Sequence, residues 1–96
     1  SYFDPYVNPA SEWNGSIRNL TPRKEGEYLP DRLTDEAIAF VADQGETPWF
    51  LHLAYYLVHT PLQAPADLVA KYEAKFAGQD TGVNPIYAAM VEALDT

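Results

Sequence analysis

The sequence predicts an α/β fold, as a piece of an α/β domain with about three helices and one or two strands. A hydrophobic, aromatic-rich run from Trp49 to Leu57 is typical of a strand buried on both faces. Apolar residues recur at helical spacing once before this run and twice after it. A helix, a short loop and a buried strand together form half of a βαβ unit, which favours a parallel sheet covered by helices.

The predicted strand lies near Trp49–Tyr55 and ends in a turn that contains a histidine. Pro61 cannot donate a ladder hydrogen bond, so the strand must stop before it. In open α/β sheets, ligands bind at the carboxyl ends of the strands. His59 therefore becomes the candidate functional residue, and the alternative, which its position alone favours, is a histidine that only shapes the turn.

Residues typical of helix starts and helix ends mark three predicted helices. Gly45 and Gly78 suit the positions just past two helices, and Asn84 followed by proline is a strong start signal for the third. The predicted helices are Pro30–Gln44, Pro65–Ala77 and Asn84–Asp95.

The first 25 residues are predicted to be an irregular lead-in. Aromatic residues lie there among prolines and asparagines without a helical or strand period, so we expect the aromatics to pack on something larger. An aromatic ligand platform is the alternative. The dipeptide Asn14-Gly15 indicates a turn, and residues Ser16–Leu20 could form a short strand after it.

Composition excludes several classes of function. The 96 residues amount to one domain or less, and the net charge of -8 argues against a nucleic-acid or anionic membrane surface. The absence of cysteine excludes disulfides, zinc-thiolate sites and cysteine nucleophiles within the chain. No apolar run approaches the ~20 residues of a membrane span. Because the chain starts at Ser1 and ends inside an amphipathic pattern, we expect it to be an excised piece of a longer protein.

Few other side chains suggest chemistry. His52 lies mid-strand and is predicted to be a hydrogen-bonded core residue. Asp31 and Asp35 share one helical face without a third ligand, which indicates a solvated helix start. No nucleophile elbow, glycine-rich phosphate loop or HExxH motif is present, so neither a metal nor a cofactor site is predicted in this segment.

Four stretches carry a family resemblance. Glu27–Val41 is similar to a "TD..TD.A..F" helix, Pro48–Ala54 and Val58–Pro65 to a "PFFLYLA...HTPLQAP" strand and loop, and Asn84–Asp95 to an "NP.YAAMVE.LD" helix. In this order they resemble the type I sulfatases of the alkaline phosphatase superfamily. The resemblance covers about residues 26–95 and is weaker before them.

The resemblance implies that residues 1–96 form a partial sulfatase domain, a fragment of a three-layer sandwich with residues 26–96 arranged helix, strand, helix, helix. It implies a parent that hydrolyses sulfate esters, with His59 as the His-x-Pro histidine that contacts the sulfate group. His52 replaces a usual aromatic residue, and Pro30 replaces the usual threonine of the helix start. The family's nucleophile motif, C/S-x-P-x-R, and its calcium-binding acids do not occur in the sequence. The parent is therefore expected to supply calcium and a formylglycine from elsewhere, and the chain alone is expected to be inactive.

Alternatives remain open at this point. A phosphonate or phosphodiester hydrolase of the same superfamily would use a similar site. A parent without the nucleophile, or a non-catalytic acidic interaction module, would not be an enzyme. The resemblance implies a periplasmic or secreted parent, and an isolated segment with an exposed strand edge is expected to self-associate. The identity of the sulfate ester does not follow from these residues.

Overall fold

The structure is a computed structural model that describes residues 1–4, 6, 17, 19–21 and 24–96. Three α-helices occur in this part of the chain, and each predicted helix is confirmed to within one residue at either end. They are α1 (Leu29–Gln44), α2 (Ala66–Phe76) and α3 (Pro85–Asp95).

Helix α1 begins inside the protein and runs outward. Pro30 occupies the first turn, where a missing N–H is tolerated, and Leu29, Pro30 and Arg32 are buried. The later part of the helix is mostly exposed, and Gly45 follows it with a φ of 57°, a left-handed value that favours glycine. The start of α1 is therefore the part that can support other elements.

Helices α2 and α3 pack against each other. The Lys71 ammonium lies 2.7 Å from a Glu92 carboxylate oxygen across the pair. Helix α3 starts as predicted, because the Asn84 side-chain oxygen accepts hydrogen bonds from the backbone N–H groups of Ile86 (2.8 Å) and Tyr87 (3.3 Å). Met90 is fully buried.

The predicted strand near Trp49–Tyr55 does not form. The described residues contain no β-ladder, only an isolated antiparallel bridge between Phe3 and Tyr28, so the prediction of one or two strands is wrong for this part of the chain. The apolar run is also exposed rather than buried, with Phe50 87% exposed. A strand needs neighbouring strands for its backbone groups, and no described segment pairs with this run. Its contacts with α1 are through side chains, Trp49 against Phe40 and Tyr55 against Thr34. The helical part of the α/β prediction is observed and the sheet is not.

Two further predictions are affected. His52 is exposed and is not a core residue. For the possible strand at Ser16–Leu20, the described residues Ile17, Asn19 and Leu20 are not in a strand, and the rest lies outside the described residues. The expected turn at Asn14-Gly15 also lies outside them.

A small core joins the lead-in, the start of α1, the loop before α2, and α3. Its buried apolar residues are Tyr2, Tyr6, Tyr28, Leu29, Ala64, Ala89 and Met90. The described aromatic side chains of the lead-in, Tyr2, Phe3 and Tyr6, therefore pack within this chain. No helix in the described ranges is long and apolar enough to cross a membrane.

Candidate functional site

His59 lies in a turn that we call the histidine turn, residues 56–61. The backbone N–H of His59 donates to the Tyr56 carbonyl at 3.0 Å, and the Thr60–Pro61 peptide bond is cis. The imidazole is exposed. Its Nδ1 lies 2.8 Å from the Thr60 carbonyl oxygen. A carbonyl oxygen only accepts, so Nδ1 carries the proton of this bond, and Nε2 is left as the ring nitrogen that can meet a ligand.

The Tyr2 side chain contacts the backbone of the histidine turn. The Tyr2 hydroxyl lies 2.6 Å from the Tyr56 carbonyl oxygen and 2.9 Å from the His59 carbonyl oxygen. Its single hydrogen is therefore shared between the two carbonyls that bracket the turn. Burial raises the pKa of the Tyr2 phenol, which keeps it protonated as the donor that both carbonyls require.

Tyr2 is in turn fixed to the start of α1. Its carbonyl accepts from the Leu29 N–H at 2.7 Å, and its own N–H donates to the Gln63 side-chain oxygen at 2.8 Å. The Tyr28 hydroxyl donates to the Gln63 carbonyl at 3.1 Å. Burial, with a contribution from Asp31 nearby, raises the pKa of Tyr28 to about 12. The helix start, two tyrosines and Gln63 thus form a continuous support for the histidine turn.

A second buried network lies on the other side of the helix start. The Arg32 guanidinium pairs with the Glu27 carboxylate at 3.2 Å and with Glu36 at 2.8 Å. It also donates to the Thr21 carbonyl at 2.6 Å, and the Tyr6 hydroxyl donates to Glu27. Burial and the Glu27 charge raise the pKa of Tyr6. Each charged group has a partner of opposite sign, so the network stabilises the fold around α1.

A cleft of about 240 Å³ opens beside this network, and Lys24, Asp31 and Asp35 are among its lining residues. Partial burial and the neighbouring Asp35 raise the pKa of Asp31, while Lys24 opposes that shift. Asp31 and Asp35 are both exposed, which agrees with the predicted solvated helix start. The cleft does not include His59 among its lining residues.

The described side chains do not suit a calcium ion. Within the part of the chain that the structure describes, no three histidine, cysteine or acidic side chains come together. Calcium takes six to eight oxygen ligands, so the Asp31–Asp35 pair alone could not hold it. The His59 imidazole can meet a ligand through Nε2, which accepts a hydrogen bond in the neutral ring and donates one in the imidazolium form.

Comparison with known proteins decides the family. The sulfatase family model matches residues 1–96. The chain belongs to the sulfatase family. It is similar to a curated sulfatase from Formosa agariphila, with 32% identity over 94 residues, which cover 96% of this chain and 16% of that protein. The chain is thus a segment of a sulfatase-type hydrolase and spans about 16% of the length of the curated relative it matches.

The support of the histidine turn in this sulfatase segment was not foreseen from the sequence. Tyr2 was predicted only as a member of an irregular aromatic lead-in, and Gln63 only as part of a family-like loop. The one available signal was the presence of Tyr2 and Tyr6 in the lead-in, because a tyrosine hydroxyl usually finds a partner when it is buried. The sequence does not show which group the hydroxyl of Tyr2 bonds.

Proposed function

We propose that the chain is part of a sulfatase that hydrolyses sulfate esters, and that His59 contacts the sulfate group of the substrate. The observation that supports this most is the exposed imidazole on a turn whose two bracketing carbonyls share one buried hydroxyl donor. Such a histidine is fixed by its backbone while its ring remains open to a ligand. Membership of the sulfatase family supports a sulfate ester as the class of substrate.

The proposed chemistry of His59 is electrostatic. A sulfate ester presents anionic oxygens, and negative charge develops on the leaving oxygen as the S–O bond breaks. An N–H donor that is already in place stabilises that charge without reorganisation during the reaction. In the imidazolium form both ring nitrogens donate, so Nδ1 can keep its bond to the Thr60 carbonyl while Nε2 donates to a sulfate oxygen.

The remaining machinery is proposed to lie in other parts of the sulfatase. A calcium ion and a formylglycine, when present, would supply charge neutralisation and the nucleophile. The residues of this segment provide neither, so the isolated chain is proposed to be inactive. We also propose a periplasmic or secreted location for the parent, by analogy with the family.

The test is hydrolysis of 4-nitrophenyl sulfate by the purified full-length protein, compared with hydrolysis of bis(4-nitrophenyl) phosphate, a phosphodiester, and of 4-nitrophenyl phenylphosphonate. The proposal expects the sulfate ester to have the highest kcat/KM and the 96-residue chain to release no product. A higher kcat/KM for either phosphorus ester would favour the phosphonate or phosphodiester hydrolase instead.

A further inference from the structure

We propose that Tyr2 is a positioning residue for His59, acting through the backbone of the histidine turn. The proposal rests on the role of His59 proposed above. It concerns a residue that lies 57 positions away in the sequence and whose hydroxyl contacts the His59 carbonyl.

The Tyr2 hydroxyl lies between two carbonyl oxygens of the histidine turn. The carbonyls of Tyr56 and His59 bracket the turn, and the Tyr2 hydroxyl lies within 3 Å of both, at 2.6 and 2.9 Å. Since the His59 N–H already donates to the Tyr56 carbonyl at 3.0 Å, the turn and the phenol form one closed hydrogen-bonded unit. A movement of His59 away from its place would break at least one of these bonds.

Burial and backbone hydrogen bonds fix Tyr2 in place independently of the histidine turn. Its side chain is only 4% exposed, and its ring lies against that of Tyr28 with centroids 6.3 Å apart. Both of its backbone polar groups are bonded, to the Leu29 N–H and to the Gln63 side chain. The phenol is therefore a fixed point anchored to the start of α1.

The imidazole of His59 is exposed, and among the described residues its hydrogen bonds go to the adjacent Thr60. The position of the ring relative to the rest of the protein is therefore set by the backbone of the turn. Misplacement by a fraction of an ångström weakens transition-state stabilisation by a preorganised donor.

The experiment is a double-mutant cycle on the full-length protein with 4-nitrophenyl sulfate as substrate, using Tyr2→Phe, His59→Ala and the double variant. Tyr2→Phe keeps the buried ring and removes the hydroxyl. We expect it to lower kcat/KM about tenfold in the wild-type background and to change it by less than about twofold in the His59→Ala background. A purely structural role would lower activity equally in both backgrounds.

Tyr6→Phe is the matched control. It also removes one buried hydroxyl from the lead-in, but that hydroxyl bonds Glu27 and not the histidine turn. We expect its melting temperature to fall while its kcat/KM stays within about twofold of wild type. Gln63→Leu, which frees the Tyr2 N–H but spares the hydroxyl, is the milder variant if Tyr2→Phe fails to fold; it should lower kcat/KM about threefold, again only when His59 is present.

The outcomes separate the two proposals. A Tyr2→Phe enzyme with wild-type kcat/KM, or with the same relative loss in the presence and absence of His59, would overturn the positioning role alone. A His59→Ala enzyme with wild-type kcat/KM would instead overturn the proposed contact between His59 and sulfate.

Discussion

Glu27 and Arg32 form a buried ion pair at 3.2 Å, and their residues are 6% and 7% exposed. Burying charges is costly unless each has a partner and hydrogen bonds. Here Arg32 also bonds Glu36 and the Thr21 carbonyl, and Glu27 accepts from Tyr6. The pair thus fixes the segment before α1 to the helix that follows it.

Tyr6→Phe tests this network through stability. The substitution removes a hydrogen bond to a buried carboxylate, and bonds to charged groups contribute about 1.5–3 kcal/mol. We expect the free energy of unfolding of the full-length protein to fall by that amount in denaturant titrations. Tyr87→Phe on exposed α3 surface is the control and should change little. Equal unfolding midpoints for the two variants would show that the bond contributes nothing.

Ionisation of Tyr28 makes the free energy of unfolding depend on pH in the alkaline range. Its folded-state pKa is raised to about 12 from 10.0, so the folded protein holds this proton more tightly than the unfolded chain does. The resulting stabilisation is fully present below pH 10 and is lost as the pH rises from 10 to about 12.

Thermal melts at intervals between pH 8 and 12 measure this dependence in the wild type and in Tyr28→Phe. The variant lacks the titrating group, so its melting temperature should decline less steeply above pH 10. Tyr87→Phe is again the control. Parallel curves for wild type and Tyr28→Phe would refute the shift.

The cap of α3 gives a local prediction. Asn84→Ala removes the acceptor of two backbone N–H groups and should destabilise the helix by about 1 kcal/mol. Asn84→Asp keeps the acceptor oxygen and should retain most of the stability. Hydrogen exchange at Ile86 and Tyr87 measures the effect, and unchanged protection in Asn84→Ala would rule out the cap as a stabilising contact.

The exposed apolar run predicts self-association of the isolated 96-residue chain. Trp49, Phe50 and Tyr56 are 49%, 87% and 57% exposed. Contiguous exposed apolar surface favours association with another chain. Sedimentation velocity should show an average mass that rises with concentration. Phe50→Glu, at a position with little packing to lose, should weaken the association. A monomer over a wide concentration range would contradict the prediction.

Local signals predicted the helices and the turn, and they failed where structure depends on distant segments. Caps, prolines and glycines lie next to the helices that they bound, which is why α1, α2 and α3 were predicted within one residue. The run at residues 49–57 has the composition of a strand, but a strand also needs a pairing strand, and the described residues supply none. His59 was found from the residues around it, whereas Tyr2 is 57 positions away and no local pattern connects the two.

The most direct test of the proposed function is the kinetics of His59→Ala in the full-length protein. Loss of a preorganised donor or general acid should lower kcat/KM for the sulfate ester by about 10²-fold or more, with an unchanged melting temperature because the ring is exposed. His52→Tyr, which restores the usual aromatic residue at another exposed position, should stay within about threefold of wild type. A His59→Ala enzyme with normal kcat/KM would leave His59 as a histidine that only shapes its turn.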